Sequence, residues 1–181
     1  MPDFNHKKAK DVPLPTRFPT QTKYRVYIPK TDAEKFVCKY AYLNDFEIFI
    51  GNTDYPNANI YEQKIFMPYV KNFGGSYDRF FSTLCHEVAH IIPYCTNMRE
   101  YSESEEEIVT EMVSMRLFQR LMGRSPVVAQ IHSESREYVK QYKQICAYMT
   151  VAEVRKLVRV SRKRYQLFIK TCFLDYQKKD S

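Results

Sequence analysis

The chain lacks any long apolar run. No stretch approaches the roughly 20 consecutive apolar residues that a membrane-spanning helix requires, so we expect a protein without membrane spans. The first 20 residues combine several lysines with prolines at positions 13, 15 and 19, and they lack the apolar segment of a secretory signal peptide. We therefore interpret residues 1–20 as a flexible N-terminal arm and expect a cytoplasmic location.

Paired cysteine motifs are also lacking. The five cysteines are an odd number, lie far apart and include no C-x-x-C pair, which favours buried, reduced thiols. Cys85 and Cys172 fall within apolar runs. Cys85 adjoins His86, but successive helical side chains point about 100° apart. We therefore interpret Cys85 as a packing residue rather than a metal ligand.

The composition is that of a single folded domain with a basic end. Apolar residues make up 44% of the 181 residues and aromatic residues 15%, enough to bury a core and to exclude a wholly disordered chain. Residues 131–181 carry twelve basic and five acidic side chains, whereas the rest carries sixteen of each sign. The whole net charge of +7 therefore belongs to the C-terminal region. Either a solvated helix surface or contact with phosphates accounts for such a charge.

Alternation of apolar and polar residues predicts a small sheet early in the chain. Residues 24–29, 46–50 and 64–67 have the pattern of strands, with a further short extended piece near Ile60. A capping box at Thr31 begins a helix that runs to about Leu43. We expect an α+β fold, with a small, mostly antiparallel sheet packed on helices.

Capping residues divide the remainder of the chain into helices. Ser76 is the expected N-cap of an apolar helix that Pro93 ends. A second capping box at Ser102 begins a helix that runs to about Met122. Two further helices are expected, over residues 127–149 and after a cap at Thr150. We divide the chain into the arm, a core over residues 21–126, and a basic helical extension over residues 127–181 that packs on the same domain.

The most informative motif is the H-E-x-x-H box from His86 to His90. Two histidines four residues apart lie on one helical face, where both can bind one Zn²⁺. Glu87 lies about 100° around the helix, beside the metal. Zinc lowers the pKa of a bound water towards about 7, and a neighbouring carboxylate can take its proton. The box therefore predicts hydrolysis, with His86 and His90 as ligands and Glu87 as the general base.

A catalytic zinc site needs a third protein ligand. On a helical wheel with about 100° per residue, Glu107 and Glu111 share a core-facing stripe, while Glu106 points to the other side. Carboxylates buried against apolar side chains need compensation, which a metal and its histidines supply. We predict Glu107 as the ligand and Glu111 as the acceptor that orients a ligand imidazole. The alternative is an acidic first turn stabilised only by the helix dipole.

Three segments together resemble the zincin-like metallopeptidase domain of ArdC-type antirestriction proteins, also found in phage polyvalent proteins. They are residues 65–68, residues 83–90 around the box, and residues 106–112, and the resemblance covers roughly residues 46–122. It implies a zincin-like, gluzincin-like fold with His86, His90 and Glu107 on zinc and Glu87 as the base. It also implies a role in phage or mobile-element biology, in the host cytoplasm if the chain is phage-encoded.

The chain also departs from the family pattern. Residues 91–94 replace the segment that usually follows the box, and Tyr101 is displaced from the family's tyrosine position. Since only about 45 residues precede the matched region, we expect no counterpart in this sequence of the DNA-binding domain that precedes the peptidase in ArdC-type proteins. Nucleic-acid contact would therefore need another surface, and the basic C-terminal helices offer one. The candidate contacts are Arg155, Arg159, Arg162 and Lys163.

Two further expectations concern the substrate. In peptidases of this type an extended substrate pairs with the edge strand before the box helix, and residues 64–67 are the natural candidate. Tyr94, Tyr101 or a nearby basic side chain could stabilise the oxyanion; the sequence does not choose among them. The first hypothesis is a zinc peptidase of narrow specificity that cleaves a protein or peptide. The alternatives are a binding module with a structural zinc site, which contacts nucleic acid or an acidic partner, and a regulatory protease resembling the ImmA/IrrE group.

Overall fold

The computed structural model describes residues 23–53, 55–95, 102–145 and 149–178. The predicted arm, residues 1–20, lies outside them. The described residues form an α+β fold of helices packed on a small sheet, as the sequence predicts. Within this part of the chain, no helix is long and apolar enough to cross a membrane.

The first helix begins where the sequence predicts. Helix α1 spans Asp32–Leu43. The backbone N–H of Glu34 donates to Thr31 Oγ1 at 3.1 Å, and the Thr31 N–H donates to the Glu34 carboxylate at 2.9 Å. This reciprocal capping box satisfies two backbone donors that the first turn leaves without helical partners.

The sheet has four strands in the order β1-β2-β4-β3. Strand β1 is Arg25–Val26, β2 is Glu47–Gly51, β3 is Asn57–Asn59 and β4 is Lys64–Pro68. The outer pairs are antiparallel and the central pair of β2 and β4 is parallel, so the described sheet is mixed, with antiparallel pairing predominating two to one. The connection from β2 to β4 is long enough for a parallel crossover, and it contains β3.

The position of β4 corrects the expectation that residues 64–67 form the edge strand. Strand β4 lies inside the sheet, between β2 and β3. The edge on this side of the sheet is β3, which takes the place of the extended piece expected near Ile60 and pairs with β4 through Ala58 and Ile65. A three-residue strand is too short to give the alternating pattern that identifies strands in a sequence.

The box helix α2 spans Tyr77–Cys95 and begins with the expected Ser76 cap. The N–H of Arg79 donates to Ser76 Oγ at 3.3 Å. The expectation that Pro93 ends the helix is wrong, because the helix continues to Cys95. A proline near the C-terminus of a helix removes only one main-chain hydrogen bond. The expected apolar face is buried; it comprises Phe80, Phe81, Leu84, Val88, Ile91 and Ile92.

Three long helices complete the fold. Helix α3 spans Glu103–Met122, α4 spans Pro126–Ile145 and α5 spans Val151–Lys178. Both remaining caps are present: the Glu105 N–H donates to Ser102 Oγ and the Glu153 N–H to Thr150 Oγ1, each at 3.3 Å. Helix α3 ends at Gly123, whose φ of 71° lies in the region that favours glycine.

Helix α5 packs back on the first half of the chain. The rings of Tyr40 and Phe168 stack with centroids 4.9 Å apart, and Lys39 Nζ donates to the Cys172 carbonyl at 3.0 Å. Cys38, Cys85 and Cys172 are free thiols buried in the core. The side chains of the other two cysteines lie outside the described residues.

Candidate metal centre

The candidate site lies where α2 packs against α3. Helix α2 buries its apolar face in the core and turns His86, Glu87 and His90 towards a cleft. Helix α3 contributes Glu107 and Glu111 from its second and third turns. The structure therefore brings together all five predicted residues of the metal site, although the two segments are separated along the chain.

Three potential ligand atoms converge on one point. The Nε2 atoms of His86 and His90 are 3.1 Å apart. Glu107 Oε2 lies 3.6 Å from Nε2 of His86, and Glu107 Oε1 lies 3.5 Å from Nε2 of His90. His86, His90 and Glu107 form the group of possible metal ligands found among the described residues.

These separations suit a zinc ion. Zinc binds imidazole nitrogen and carboxylate oxygen at about 2.0–2.2 Å, which places neighbouring ligands of a tetrahedron about 3.3–3.6 Å apart. The three separations between ligand atoms, 3.1 to 3.6 Å, fall close to this interval. Two nitrogens and one carboxylate also form a donor set typical of catalytic zinc.

Glu111 orients His86. Its Oε2 lies 2.6 Å from Nδ1 of His86, and its other carboxylate oxygen accepts a hydrogen bond from the Ser135 hydroxyl. In the metal-bound state, a neutral His86 would donate its Nδ1–H to the Glu111 carboxylate, which would leave the Nε2 lone pair for the metal. This is the contact predicted for Glu111.

Thr110 makes the corresponding contact with His90. Its Oγ1 lies 3.4 Å from Nδ1 of His90, and the threonine is buried on α3. Each box histidine therefore has a polar partner from α3 behind it. Sequence reasoning missed Thr110, although its position three residues after Glu107 places it within one helical turn of the ligand.

The two histidines differ in their electrostatics. Burial lowers the pKa of His86, but hydrogen bonds to Glu107 and Glu111 outweigh burial and raise this pKa to about 10. Burial and the neighbouring His86 lower the pKa of His90 to about 4. In the metal-free site at neutral pH, His86 therefore holds the proton between two carboxylates while His90 stays neutral.

Glu87 lies beside the ligand cluster and is only 5% exposed. Burial raises its pKa to about 7; His86 and a hydrogen bond from the Ala58 backbone oppose the rise, and Glu107 adds to it. The Ala58 contact joins the carboxylate to β3, the edge strand. Glu87 is thus a nearly buried carboxyl that can exchange a proton near neutral pH.

A cleft of about 740 Å³ opens over these residues. Asn57 and Ala58 of β3 form one side, and α4 contributes Ser135 and Tyr138. The predicted edge strand, β4, does not line this cleft. The edge strand β3 lies next to the box helix instead, since its Ala58 backbone contacts Glu87.

Sequence reasoning missed the contribution of α4. The Tyr138 hydroxyl donates to Glu107 Oε2 at 3.1 Å, and its ring lies edge-on to His86 with centroids 6.1 Å apart. Ser135 and Tyr138 share a helical face with Ile131. This spacing identifies one face of α4, but no local sequence pattern predicts that this face contacts the metal ligands.

Glu106 points away from the site, as the helical wheel predicts. It forms a two-pronged ion pair with Arg164 of α5, with distances of 2.6 and 2.9 Å. Arg164 is only 1% exposed. The sequence analysis counted Arg164 among the basic residues of the C-terminal region and did not predict its burial. Its spacing of four residues from both Val160 and Phe168 places it on the same helical face as these two buried residues.

The other predicted residues lie elsewhere. Arg155, Arg159, Arg162 and Lys163 are exposed on α5 and do not line the cleft. The candidate oxyanion residues cannot be placed, since Tyr101 and the side chain of Tyr94 lie outside the described residues. No family model, curated protein or solved structure matches this chain.

Proposed function

We propose that this protein is a zinc-dependent metallopeptidase. The observation that carries the proposal is the convergence of His86, His90 and Glu107 in a cleft where Glu87 lies beside them. A purely structural zinc site is normally closed by four protein ligands, whereas a catalytic site has three and leaves one position open. Three ligands beside a buried carboxyl favour catalysis.

The protein residues divide the chemistry between them. Zinc held by the three ligands would polarise the scissile carbonyl and lower the pKa of water at the open position towards about 7. Glu87 would accept the proton of the attacking water and pass it to the leaving amine nitrogen. Glu111 and Thr110 would hold the two imidazoles in position.

The edge strand supports a peptide as the substrate. Within the described part of the chain, β3 pairs with β4 on one side only, so its other side has main-chain groups available for an added strand. The Ala58 backbone contacts Glu87. The side of β3 that does not pair with β4 therefore lies next to the proposed base. An extended peptide lying along β3 would bring its main chain past the ligand cluster.

Tyr138 is our candidate for oxyanion stabilisation. Its hydroxyl lies in the cleft at 3.1 Å from a ligand oxygen of Glu107, close enough to turn towards a developing negative charge. Such a donor contributes roughly 100-fold to 1000-fold in kcat when it is aimed at the oxyanion. This assignment replaces Tyr94 and Tyr101 as the residue to test first.

The resemblance to ArdC-type domains supports narrower parts of the proposal. A narrow specificity, a role in phage or mobile-element biology, and a cytoplasmic site of action rest on the resemblance alone. A regulatory protease of the ImmA/IrrE kind would use the same metal chemistry on a different protein partner. Identification of the cleaved protein distinguishes these versions.

Glu87→Gln tests the proposed chemistry. The amide keeps the shape of the carboxyl but cannot accept the proton, so we expect full zinc content and a loss of peptide-library cleavage of at least about 100-fold. Glu103→Gln, an exposed residue at the start of α3, is the matched control and should cleave normally. Wild-type cleavage by Glu87→Gln would contradict the mechanism and favour a binding module with a structural zinc.

A further inference from the structure

A second polar surface lies away from the cleft, at the C-terminal half of α3. Arg116, Arg120 and Arg124 are spaced four residues apart and line a cavity of about 470 Å³ together with Tyr165 of α5. No carboxylate lines this cavity. We call these four residues the arginine groove.

The arginine groove is electrostatically unfavourable by itself. Arg116 and Arg120 lie four residues apart on α3, where like charges repel each other by a few tenths of a kcal/mol, about the magnitude by which opposite charges attract. Arg124 follows the end of the helix and adds a third positive charge to the same cavity. Among the ion pairs formed between described residues, none involves these three arginines. A bound anion would relieve the repulsion.

The groove continues onto α4. A neighbouring cavity of about 440 Å³ shares Arg124 with it and adds His132 and Arg136, again without a carboxylate in its lining. Neither cavity shares a lining residue with the cleft over the metal site. The basic surface and the candidate metal centre are therefore separate.

The groove also continues onto α5. Arg120 donates to the Tyr165 hydroxyl at 3.4 Å and lies 5.8 Å from the ring centroid of Phe173. On a helical wheel of about 100° per residue, five exposed basic residues of α5 lie within about 80° of Phe173, and Tyr165 lies at the border of this face. They are Arg155, Arg159, Arg162, Lys163 and Lys170.

We propose that the arginine groove and this exposed face of α5 bind the sugar-phosphate backbone of nucleic acid. Arginine matches phosphate oxygens with two parallel N–H donors, and Tyr165 offers a ring on which a base can stack. A protein partner normally needs an apolar centre depleted of charge, which this row of cations lacks. The proposal does not depend on the zinc chemistry.

The first experiment measures binding of fluorescent oligonucleotides of about 20 nucleotides, single-stranded and double-stranded, by fluorescence anisotropy. With about five phosphate contacts, we expect affinity to fall roughly 100-fold for the single strand and about 500-fold for the duplex between about 50 and 200 mM salt. Metal-free protein should bind equally well. Binding of either oligonucleotide supports the proposal, and the two arms show which form is preferred.

The variants test whether this particular surface is responsible. The double variant Arg124→Glu/Arg162→Glu reverses the charge of one exposed residue on each side of the groove. We expect binding to weaken at least about tenfold. The slope of log affinity against log salt concentration should become shallower by about 1.5. Lys23→Glu/Arg25→Glu makes the same charge change at exposed positions around β1 and should bind nearly as wild type. Unchanged circular dichroism and zinc content show that the groove variant is folded.

Three results would overturn the proposal. The first is an absence of binding to both oligonucleotides at low salt. The second is an equal loss of affinity in the two double variants, which would mean that net charge alone attracts the oligonucleotide. The third is equally tight binding of polyglutamate, which would indicate an acidic protein partner instead.

Discussion

Replacement of Glu111 by glutamine should weaken zinc binding without removing a ligand. The carboxylate is 7% exposed and lies 2.6 Å from Nδ1 of His86, while Ser135 donates to its other oxygen. The amide oxygen of Glu111→Gln can still accept from Nδ1–H, so the imidazole keeps its orientation. What is lost is the negative charge, and charge-assisted hydrogen bonds are roughly twice as strong as neutral ones.

The expected loss is about 10-fold to 100-fold in zinc affinity, or roughly 1.4–2.7 kcal/mol, the range found when a metal ligand loses its hydrogen-bonded partner. Glu111→Ala should also lower the free energy of unfolding by about 1–3 kcal/mol, because it leaves buried donors on His86 and Ser135 without an acceptor.

The assay is a zinc competition titration against a fluorescent chelator, with Glu103→Gln as the control. Both variants remove one acidic charge from α3, but Glu103 is exposed at the first turn. Equal zinc affinities for Glu111→Gln, Glu103→Gln and wild type would refute the claim that Glu111 orients His86 and strengthens its bond to the metal.

Three other predictions follow from the same contacts. Zinc at about 1000 times its dissociation constant should stabilise the fold by about 4 kcal/mol, a rise in Tm of roughly 8–16 °C that a chelator reverses; an unchanged Tm would contradict a site formed only in the folded state. Tyr138→Phe should lower kcat roughly 100-fold in a peptide assay with zinc content unchanged, and normal kcat would exclude its oxyanion role. Arg164→Ala should lower the free energy of unfolding in urea by about 3 kcal/mol, since it leaves Glu106 half-buried without its partner, whereas Arg162→Ala on the exposed face should change it little.

Local rules predicted the parts of the site that depend on one helix. Capping boxes at Thr31 and Ser102 begin helices where expected. The helical wheel separated Glu107, which faces the histidines, from Glu106, which pairs with Arg164. These results depend on helical periodicity and on hydrogen bonds within a few residues, both of which a sequence displays directly.

The parts that were missed depend on contacts between distant segments. The order of strands, which places β3 rather than β4 at an edge, depends on pairing between segments that are separate in the chain. Tyr138 and Ser135 reach the site because α4 packs over α3. Arg164 is buried where Glu106 of α3 lies opposite it. None of these partners is a neighbour in sequence, so no local pattern identifies them.

The most direct test of the central claim is a crystal structure of the zinc-loaded protein with an anomalous difference map collected at the zinc absorption edge. We expect one peak, which lies about 2.0–2.2 Å from each of three ligands: Nε2 of His86, Nε2 of His90 and the Glu107 carboxylate. Glu107→Ala should lose this peak, and Glu106→Ala should keep it. A peak at other residues, or its loss in Glu106→Ala but not in Glu107→Ala, would contradict the proposed metal centre.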